Sequence, residues 1–136
     1  MVIDSSALVA LLLGEPETAG FVAAIADASS RSVSAPSYVE TAIVMMTRSG
    51  PEAQQQLDRL LADLAIEIVP FTRDQAVLAV AAYRQFGRGS GHPAALNFGD
   101  RFSYALAKFR GEPVLFKGND FSRTDEEIAA ALNDPS

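Results

Sequence analysis

Four carboxylates stand where an α/β fold gathers its functional side chains. Asp4 and Asp120 each follow a short apolar run that predicts a strand, whereas Glu40 lies about one turn into a predicted helix and Asp100 begins another. Apolar residues flank each acid, and an isolated charge is costly to bury. Four converging carboxylates would repel one another and raise each other's pKa values unless a cation neutralised them.

This set of acids indicates a divalent-cation site that could act on phosphodiesters. Mg²⁺ and similar hard ions prefer oxygen ligands and are held by one or two carboxylates plus waters. A bound Mg²⁺ or Mn²⁺ lowers the pKa of a water, orients it, and stabilises charge on a scissile phosphate. The helix starts at Asp100 and near Glu40 would also favour carboxylates there through the helix dipole.

Each acid also has an ordinary structural explanation. Asp4 before two serines is a common cap or turn residue. The helix dipole alone would explain Asp100, Glu40 is compatible with an exposed helix position, and Asp120 is compatible with a turn. The sequence therefore leaves open whether the four acids meet in space.

The composition excludes several other kinds of site. The chain has no cysteine, which excludes disulfides, Cys-ligated zinc and thiol catalysis. His92 is the only histidine, so a zinc site built from several histidines is poorly supported and a Ser-His-Asp triad would have a single candidate base.

The N-terminal stretch MVIDSSALVALLLGEPE lacks the basic flank of a secretory signal. No run of about 18 apolar residues predicts a membrane span. We expect one cytoplasmic domain spanning residues 1–136.

Strands and helices alternate along the chain, and these elements must position the acids. Apolar runs predict strands at 1–4, 32–35, 66–69 and 113–116, and helical spacing predicts helices at 7–13, 17–28, 36–48, 52–64, 72–83, 100–109 and 126–132. The alternation predicts an α/β sandwich with a mainly parallel sheet. Functional sites in such sheets gather outside the carboxyl ends of the strands, where this assignment places Asp4 and Asp120.

The charge is unevenly distributed along the chain. The net charge of −6 argues against a nucleic-acid partner by itself. Residues 1–83 carry ten acids and four bases, residues 84–123 carry three acids and seven bases, and residues 124–136 carry four acids and no base. The middle segment is therefore basic, although a chance cluster of solvated charges would give the same count.

Three segments resemble PIN-domain toxins of the VapC type. They are MVIDSSALVALLLGEPE at the N-terminus, SYVETAIV at 37–44 and LNFGDRFSYALAKFRGEPVLFKGNDFSRTD at 96–125. The loop GRGSGHPAALNFGD at 87–100 is the most specific part. The resemblance extends over essentially the whole chain with its segments in the right order.

The resemblance implies a PIN-like three-layer α/β/α sandwich with a central, mainly parallel sheet. It implies a Mg²⁺- or Mn²⁺-dependent endoribonuclease, the toxin of a type II toxin–antitoxin pair. It also implies that Asp4 and Asp100 are direct metal ligands, and that Glu40 and Asp120 bind metal less directly or position the attacking water. Ser6 would support Asp4 by hydrogen bonding.

The resemblance further implies macromolecular partners. Similar toxins form homodimers and are neutralised by a cognate antitoxin, which wraps the toxin and often inserts a basic side chain among the acids. The RNA substrate gives the basic segment a use, because phosphate contacts supply most nucleic-acid affinity. We therefore expect Arg84, Arg88, Arg101 and Lys117 to contact RNA.

The sequence departs from the family pattern in three places. Ser90 stands where a basic residue is expected, and Arg101 stands where a small residue is commoner. Two glutamates follow Asp125 where an apolar residue is usual, so Asp125 is the rival of Asp120 for the fourth acid.

Two other functions remain open at this point. Related acidic sites serve structure-specific DNA nucleases, although the short chain lacks an obvious domain to grip a duplex or flap. A non-catalytic PIN-like binding module is the other, although all four acids are present.

Overall fold

The computed structural model describes residues 1–86 and 97–118. The predictions that concern Arg88, His92, Asp120, Asp125 and the final helix at 126–132 fall outside these residues. Within them, no helix has the length and apolar character needed to cross a membrane.

Four short parallel strands form the sheet of the described part. They are β1 (Val2–Ile3), β2 (Ser32–Ser34), β3 (Glu67–Val69) and β4 (Val114–Leu115), in the spatial order β3-β2-β1-β4. Residues 2 and 3 of β1 pair with residues 114 and 115 of β4, so β1 and β4 end at the same level. Both residues of each of these strands are fully buried, as expected for a parallel sheet covered on two faces.

Helices connect the strands and cover both faces of the sheet. In the described residues they are α1 (Ser5–Leu13), α2 (Thr18–Asp27), α3 (Ala35–Ser49), α4 (Ala53–Asp63), α5 (Arg73–Phe86) and α6 (Asp100–Arg110). Successive strand residues point to opposite faces. Ile3 accordingly packs in a core with Leu8 and Phe21, whereas Val2 packs in a second core with Phe86 and Leu106. The predicted α/β/α sandwich is therefore confirmed.

Left-handed glycines end the two helices that flank the site. Gly14 after α1 has φ +65° and Gly111 after α6 has φ +64°. Glycine reaches this backbone region without steric cost, and each glycine N–H satisfies carbonyls of the last helical turn. The sequence-based ends of these helices agree with the structure to within two residues.

We expect Phe21→Ala to be strongly destabilising, because the Phe21 side chain is fully buried in the core that contains Ile3 and Leu8. Its removal leaves a cavity and should lower the free energy of unfolding by about 3–5 kcal/mol. Val22→Ala on the same helix is the control, since Val22 is 36% exposed, and should cost less than about 1 kcal/mol. Urea unfolding of both variants measures the difference, and equal losses would contradict the assigned core.

Candidate active site

Asp4 lies at the carboxyl end of β1 and caps α1. Its Oδ2 accepts hydrogen bonds from the backbone N–H of Ser6 at 3.1 Å and from the Ser6 hydroxyl at 2.7 Å. The ordinary explanation of Asp4 as a helix cap is thus correct as local geometry. The side chain is nevertheless only 1% exposed, and its other oxygen contacts a different helix.

Two buried serines connect Asp4 to the helices that contain the other acids. Ser103 on α6 donates a hydrogen bond to Oδ1 of Asp4 at 2.5 Å, and its hydroxyl lies 3.4 Å from that of Ser37 on α3. Ser103 follows Asp100 by one helical turn, and Ser37 precedes Glu40 by one turn. The chain Ser37–Ser103–Asp4 therefore joins the three elements that position the acids.

Asp100 is fixed by a reciprocal pair of hydrogen bonds at the start of α6. The backbone N–H of Asp100 donates to Oδ1 of Asn97 at 2.8 Å, and Oδ2 of Asp100 accepts from the backbone N–H of Asn97 at 3.0 Å. This is the geometry of a capping box, with Asn97 as the cap. Asp100 is 8% exposed, so the acid is both a helix-start residue and a nearly buried one.

Glu40 on α3 lies near Asp4 and against the residue that precedes Asp100. Its Oε1 accepts a hydrogen bond from the Ser5 hydroxyl on α1 at 2.8 Å. Its carboxylate also lies against Gly99, since an ideal Cβ built on Gly99 would be 2.6 Å from Oε2 of Glu40. Glu40 is half-buried between the first turns of α1 and α6, and is not the freely exposed helix residue that the sequence left open.

The electrostatics of Asp4 reflect this enclosure. Burial raises the pKa of Asp4 above its ordinary value because it disfavours the charged form, and the negative charge of Glu40 raises it further. The hydrogen bonds from Ser103 and Ser6 act in the opposite direction and stabilise the carboxylate. Among residues 1–86 and 97–118, no three acidic or histidine side chains are arranged to hold a metal ion. The predicted fourth acid, Asp120, lies outside those residues.

Ser6 also ties the site to the neighbouring strand. Its hydroxyl accepts a hydrogen bond from the backbone N–H of Lys117 at 3.0 Å while it donates to Asp4. Lys117 comes two residues after β4, so the carboxyl ends of β1 and β4 are joined at the acidic site. The structure thus places Ser6 beside Asp4, where the sequence predicts it.

The bases predicted to contact RNA have different surroundings. Arg84 is exposed in the last turn of α5. The guanidinium of Arg101 lies over the ring of Tyr83, 4.5 Å from its centroid. The ammonium of Lys117 lies 2.6 Å from Glu15, whose hydrogen bond raises the Lys117 pKa, and 3.4 Å from a second carboxylate. Arg84 is exposed, whereas Arg101 and Lys117 already contact other side chains of this chain.

The sequence interpretation missed the residues that hold the acids in place, namely Ser5, Ser37, Asn97, Gly99 and Ser103. A usable signal existed for two of them. Ser37 and Ser103 each lie three residues from a helical acid, so a small hydroxyl shares the helix face of each carboxylate. The positions of the others depend on contacts between elements far apart in sequence.

We expect Asp4→Asn to unfold less readily than the native protein at pH 7 in the presence of chelator. The raised pKa means that the native fold is favoured below pH 3.8, the ordinary value for Asp, and loses stability as pH rises through the folded-state pKa. The asparagine side chain of the variant does not ionise, so the variant does not lose stability in this way. Its excess free energy of unfolding over the native protein should therefore shrink toward pH 4. Urea titrations at several pH values measure it, with Asp63→Asn on α4 as an exposed control. A stability difference that does not change with pH would contradict the raised pKa.

Known proteins match this chain in sequence and in fold. The PIN domain family model matches residues 1–127. Ribonuclease VapC28 of Mycobacterium tuberculosis (strain ATCC 25618 / H37Rv) is 49% identical over 129 residues, which cover 95% of this chain and 97% of that protein. Ribonuclease VapC30 of the same strain is 50% identical over 125 residues, covering 92% and 95%.

Two solved structures share the fold at low sequence identity. Mycobacterium tuberculosis VapC20, a sarcin–ricin loop cleaving toxin, superposes with a TM-score of 0.73 at 19% identity and covers 92% of this chain and 95% of its own. A toxin–antitoxin complex from Klebsiella pneumoniae gives 0.68 at 18% identity, covering 91% and 92%. These likenesses support the fold, and the sequence matches show the family. The chain belongs to the PIN-domain family and, within it, to the VapC ribonucleases.

Proposed function

We propose that this VapC ribonuclease is an endoribonuclease toxin that hydrolyses RNA at the acidic site, with Mg²⁺ or Mn²⁺ as its cofactor. One observation supports this above the others. Asp4 and Glu40 interact electrostatically, and the start of α6, where Asp100 lies, reaches both of them through the Ser103–Asp4 hydrogen bond and the contact of Gly99 with Glu40. Burying a charge without a partner is costly, so the nearly buried Asp4 beside Glu40 favours a bound cation.

The donor atoms fit a hard divalent cation. They are carboxylate oxygens, which Mg²⁺ and Mn²⁺ prefer, and burial together with Glu40 raises the pKa of Asp4 in the absence of a cation. A nearby positive charge would offset that unfavourable interaction. When bound, the ion supplies Lewis acidity and a lowered pKa for a bound water.

The position of each acidic residue indicates its proposed role. Asp4 and Asp100, the two nearly buried acids, would hold the cation. Glu40 is held at one oxygen by Ser5, and its other oxygen would orient the attacking water and accept its proton. Asp120 is proposed as the fourth acid, with Asp125 as the alternative.

Phosphate contacts are proposed for four bases near the site. Arg84 is exposed, and Arg101 directly follows Asp100 with its guanidinium stacked on Tyr83, an arrangement that still leaves N–H groups for a phosphate. Lys117 would first have to leave its ion pair with Glu15. Arg88 remains a proposal from the sequence alone.

A cognate antitoxin is proposed as the protein partner. The Klebsiella pneumoniae structure that shares this fold is a toxin–antitoxin complex. A basic side chain of an antitoxin would find two nearly buried carboxylates and one half-buried carboxylate in the acidic site. Such pairing would remove both the electrostatic attraction for a cation and the access of RNA. We also propose that the activity is cytoplasmic, because its proposed substrate is cellular RNA.

A homodimer is proposed on the apolar face formed by α3 and α5. Large apolar side chains there are half exposed or more, and a cavity of about 870 Å³ opens between α3 and Phe98. Contiguous apolar surface of this kind usually marks an interface. The exposed residues are Val39, Ile43, Val77, Val80, Tyr83 and Phe98.

Cleavage assays test the proposed activity. We expect Asp100→Asn and Glu40→Gln each to lower RNA cleavage by about 100-fold or more, because loss of even indirect metal-site partners costs 10- to 100-fold. Asp63→Asn, an exposed acid on α4, should cleave like the native protein. The substrates are mixed RNA and single-stranded DNA, each with Mg²⁺, Mn²⁺ or chelator.

The outcomes separate the competing functions. Metal-dependent cleavage of RNA alone supports the ribonuclease, and cleavage of DNA at an equal rate would favour a DNA nuclease instead. Metal binding without cleavage of either would favour a binding module. Full activity of both acid variants would overturn the proposed site.

We expect Val80→Glu and Ile43→Glu to convert the proposed dimer to a monomer, because each places a charge in the apolar face. Val22→Glu lies on α2 at a 36% exposed position outside this face and should leave the mass unchanged. Light scattering after size exclusion measures the mass. The native protein is measured in a dilution series from about 50 to about 1 μM. A monomer at every one of these concentrations would contradict the homodimer.

A further inference from the structure

Gly99 directly precedes α6 and lies beside the Glu40 carboxylate. The capping box between Asn97 and Asp100 fixes the backbone on both sides of Gly99. On its open side the Glu40 carboxylate comes so close that an added Cβ would lie 2.6 Å from Oε2, 2.7 Å from Oε1 and 2.9 Å from the carboxyl carbon. Ordinary van der Waals contact begins at 3.4 Å. The space that a side chain would fill at this position is therefore taken by the Glu40 carboxylate.

Backbone conformation does not require a glycine at this position. Gly99 has φ −67° and ψ −36°, in the right-handed helical region that every L-residue adopts. Alanine is a better helix former than glycine and would suit the first turn of α6. The requirement for glycine is therefore one of space beside Glu40.

The Glu40 carboxylate has little freedom to avoid a new side chain without losing its own contact. Ser5 on α1 holds Oε1 at 2.8 Å, so the carboxylate is enclosed between the Ser5 hydroxyl and the Cα of Gly99. A methyl group at position 99 would displace Oε2 from 2.6 Å to at least the 3.4 Å of ordinary contact. The flexible Glu40 side chain can make that movement, so the fold would tolerate the change while the carboxylate would leave its place.

We propose that Gly99 is a positioning residue whose missing side chain allows the Glu40 carboxylate to lie against the start of α6, next to Asp100. This inference rests on the proposed role of Glu40. It predicts that a substitution favourable to helix formation lowers activity. A shift of about 1 Å in a catalytic group can cost about 100-fold in rate, so we expect Gly99→Ala to lower single-turnover RNA cleavage by about 10- to 100-fold.

Gly20→Ala provides a matched control within the same chain. Gly20 lies inside α2, is exposed, and has no atom within 4 Å of an added Cβ. Both substitutions add one methyl group to a helical glycine, and both should leave the thermal midpoint unchanged or raised. The only expected difference between them is the displacement of Glu40.

The experiment combines three measurements on the full chain. Thermal unfolding in chelator reports the fold, calorimetric titration with Mn²⁺ alone reports the cation site, and single-turnover RNA cleavage reports activity. The variants are Gly99→Ala, Gly20→Ala, Glu40→Gln and the double variant Gly99→Ala with Glu40→Gln. We expect Gly99→Ala to weaken Mn²⁺ binding by about tenfold, in the range found for indirect metal-site partners.

The double variant shows whether Gly99 acts through Glu40. If it does, Gly99→Ala should add little to the losses of Glu40→Gln, because coupled residues are not additive. Additive losses would assign Gly99 a separate role and overturn the inference. A thermal midpoint for Gly99→Ala well below that of Gly20→Ala would also overturn it, since the glycine would then serve the fold.

The failure of the inference and the failure of the proposed function differ in their results. Native cleavage by Gly99→Ala together with an inactive Glu40→Gln variant overturns the inference and leaves the proposed function standing. Native cleavage by Glu40→Gln overturns the proposed role of Glu40 and the inference with it, whereas absence of metal-dependent RNA cleavage by the native protein overturns the proposed function.

Discussion

The hydrogen bond from Ser103 to Asp4 is the interaction on which the acidic site depends. A carboxylate that is 1% exposed is expensive to ionise, and its described hydrogen-bond donors are the Ser103 hydroxyl and the hydroxyl and N–H of Ser6. These donors are neutral, so they hold the side chain in place without cancelling its charge. An arginine or lysine in the same place would satisfy the carboxylate more fully but would also remove the negative potential that attracts a divalent cation. Serine is therefore suited to a buried acid that must still bind a cation.

The parallel sheet explains why distant parts of the chain meet at this point. Val2 and Ile3 pair with Val114 and Leu115, so β1 and β4 end at the same edge, and the Lys117 N–H can reach Ser6. The residues that follow β4 leave the sheet beside Asp4 for this reason. Helices α3 and α6 then need only bring their first turns to that edge, where Ser37 and Ser103 meet. The site is thus a consequence of strand register together with two helix starts.

The sequence predicts the elements of the fold well and the contacts between them poorly. Each described strand and helix lies where apolar runs and helical spacing place it, because these patterns are local and strong. The residue pattern leaves open whether Asp4, Glu40 and Asp100 meet, and only the resemblance to VapC toxins assigns them to one site. The contact of Ser103 with Asp4 spans 99 residues and that of Lys117 with Glu15 spans 102, and no local pattern contains such information. The same limit applies to Gly99, whose surroundings depend on how α3 packs against α6.

The position of Arg101 shows how a base can adjoin the acidic site without neutralising it. Arg101 directly follows Asp100, and an unrestrained guanidinium at this position could fold back onto the carboxylates. Its guanidinium instead lies over the Tyr83 ring at 4.5 Å, with the Phe98 ring 5.8 Å away. Cation–π contact of this kind favours one orientation of the side chain. Because the stack is formed by α5 and the start of α6, the packing that brings Asp100 to the site also turns the neighbouring positive charge onto an aromatic face. A chain with net charge −6 can in this way keep its acids available for a cation while presenting a base beside them.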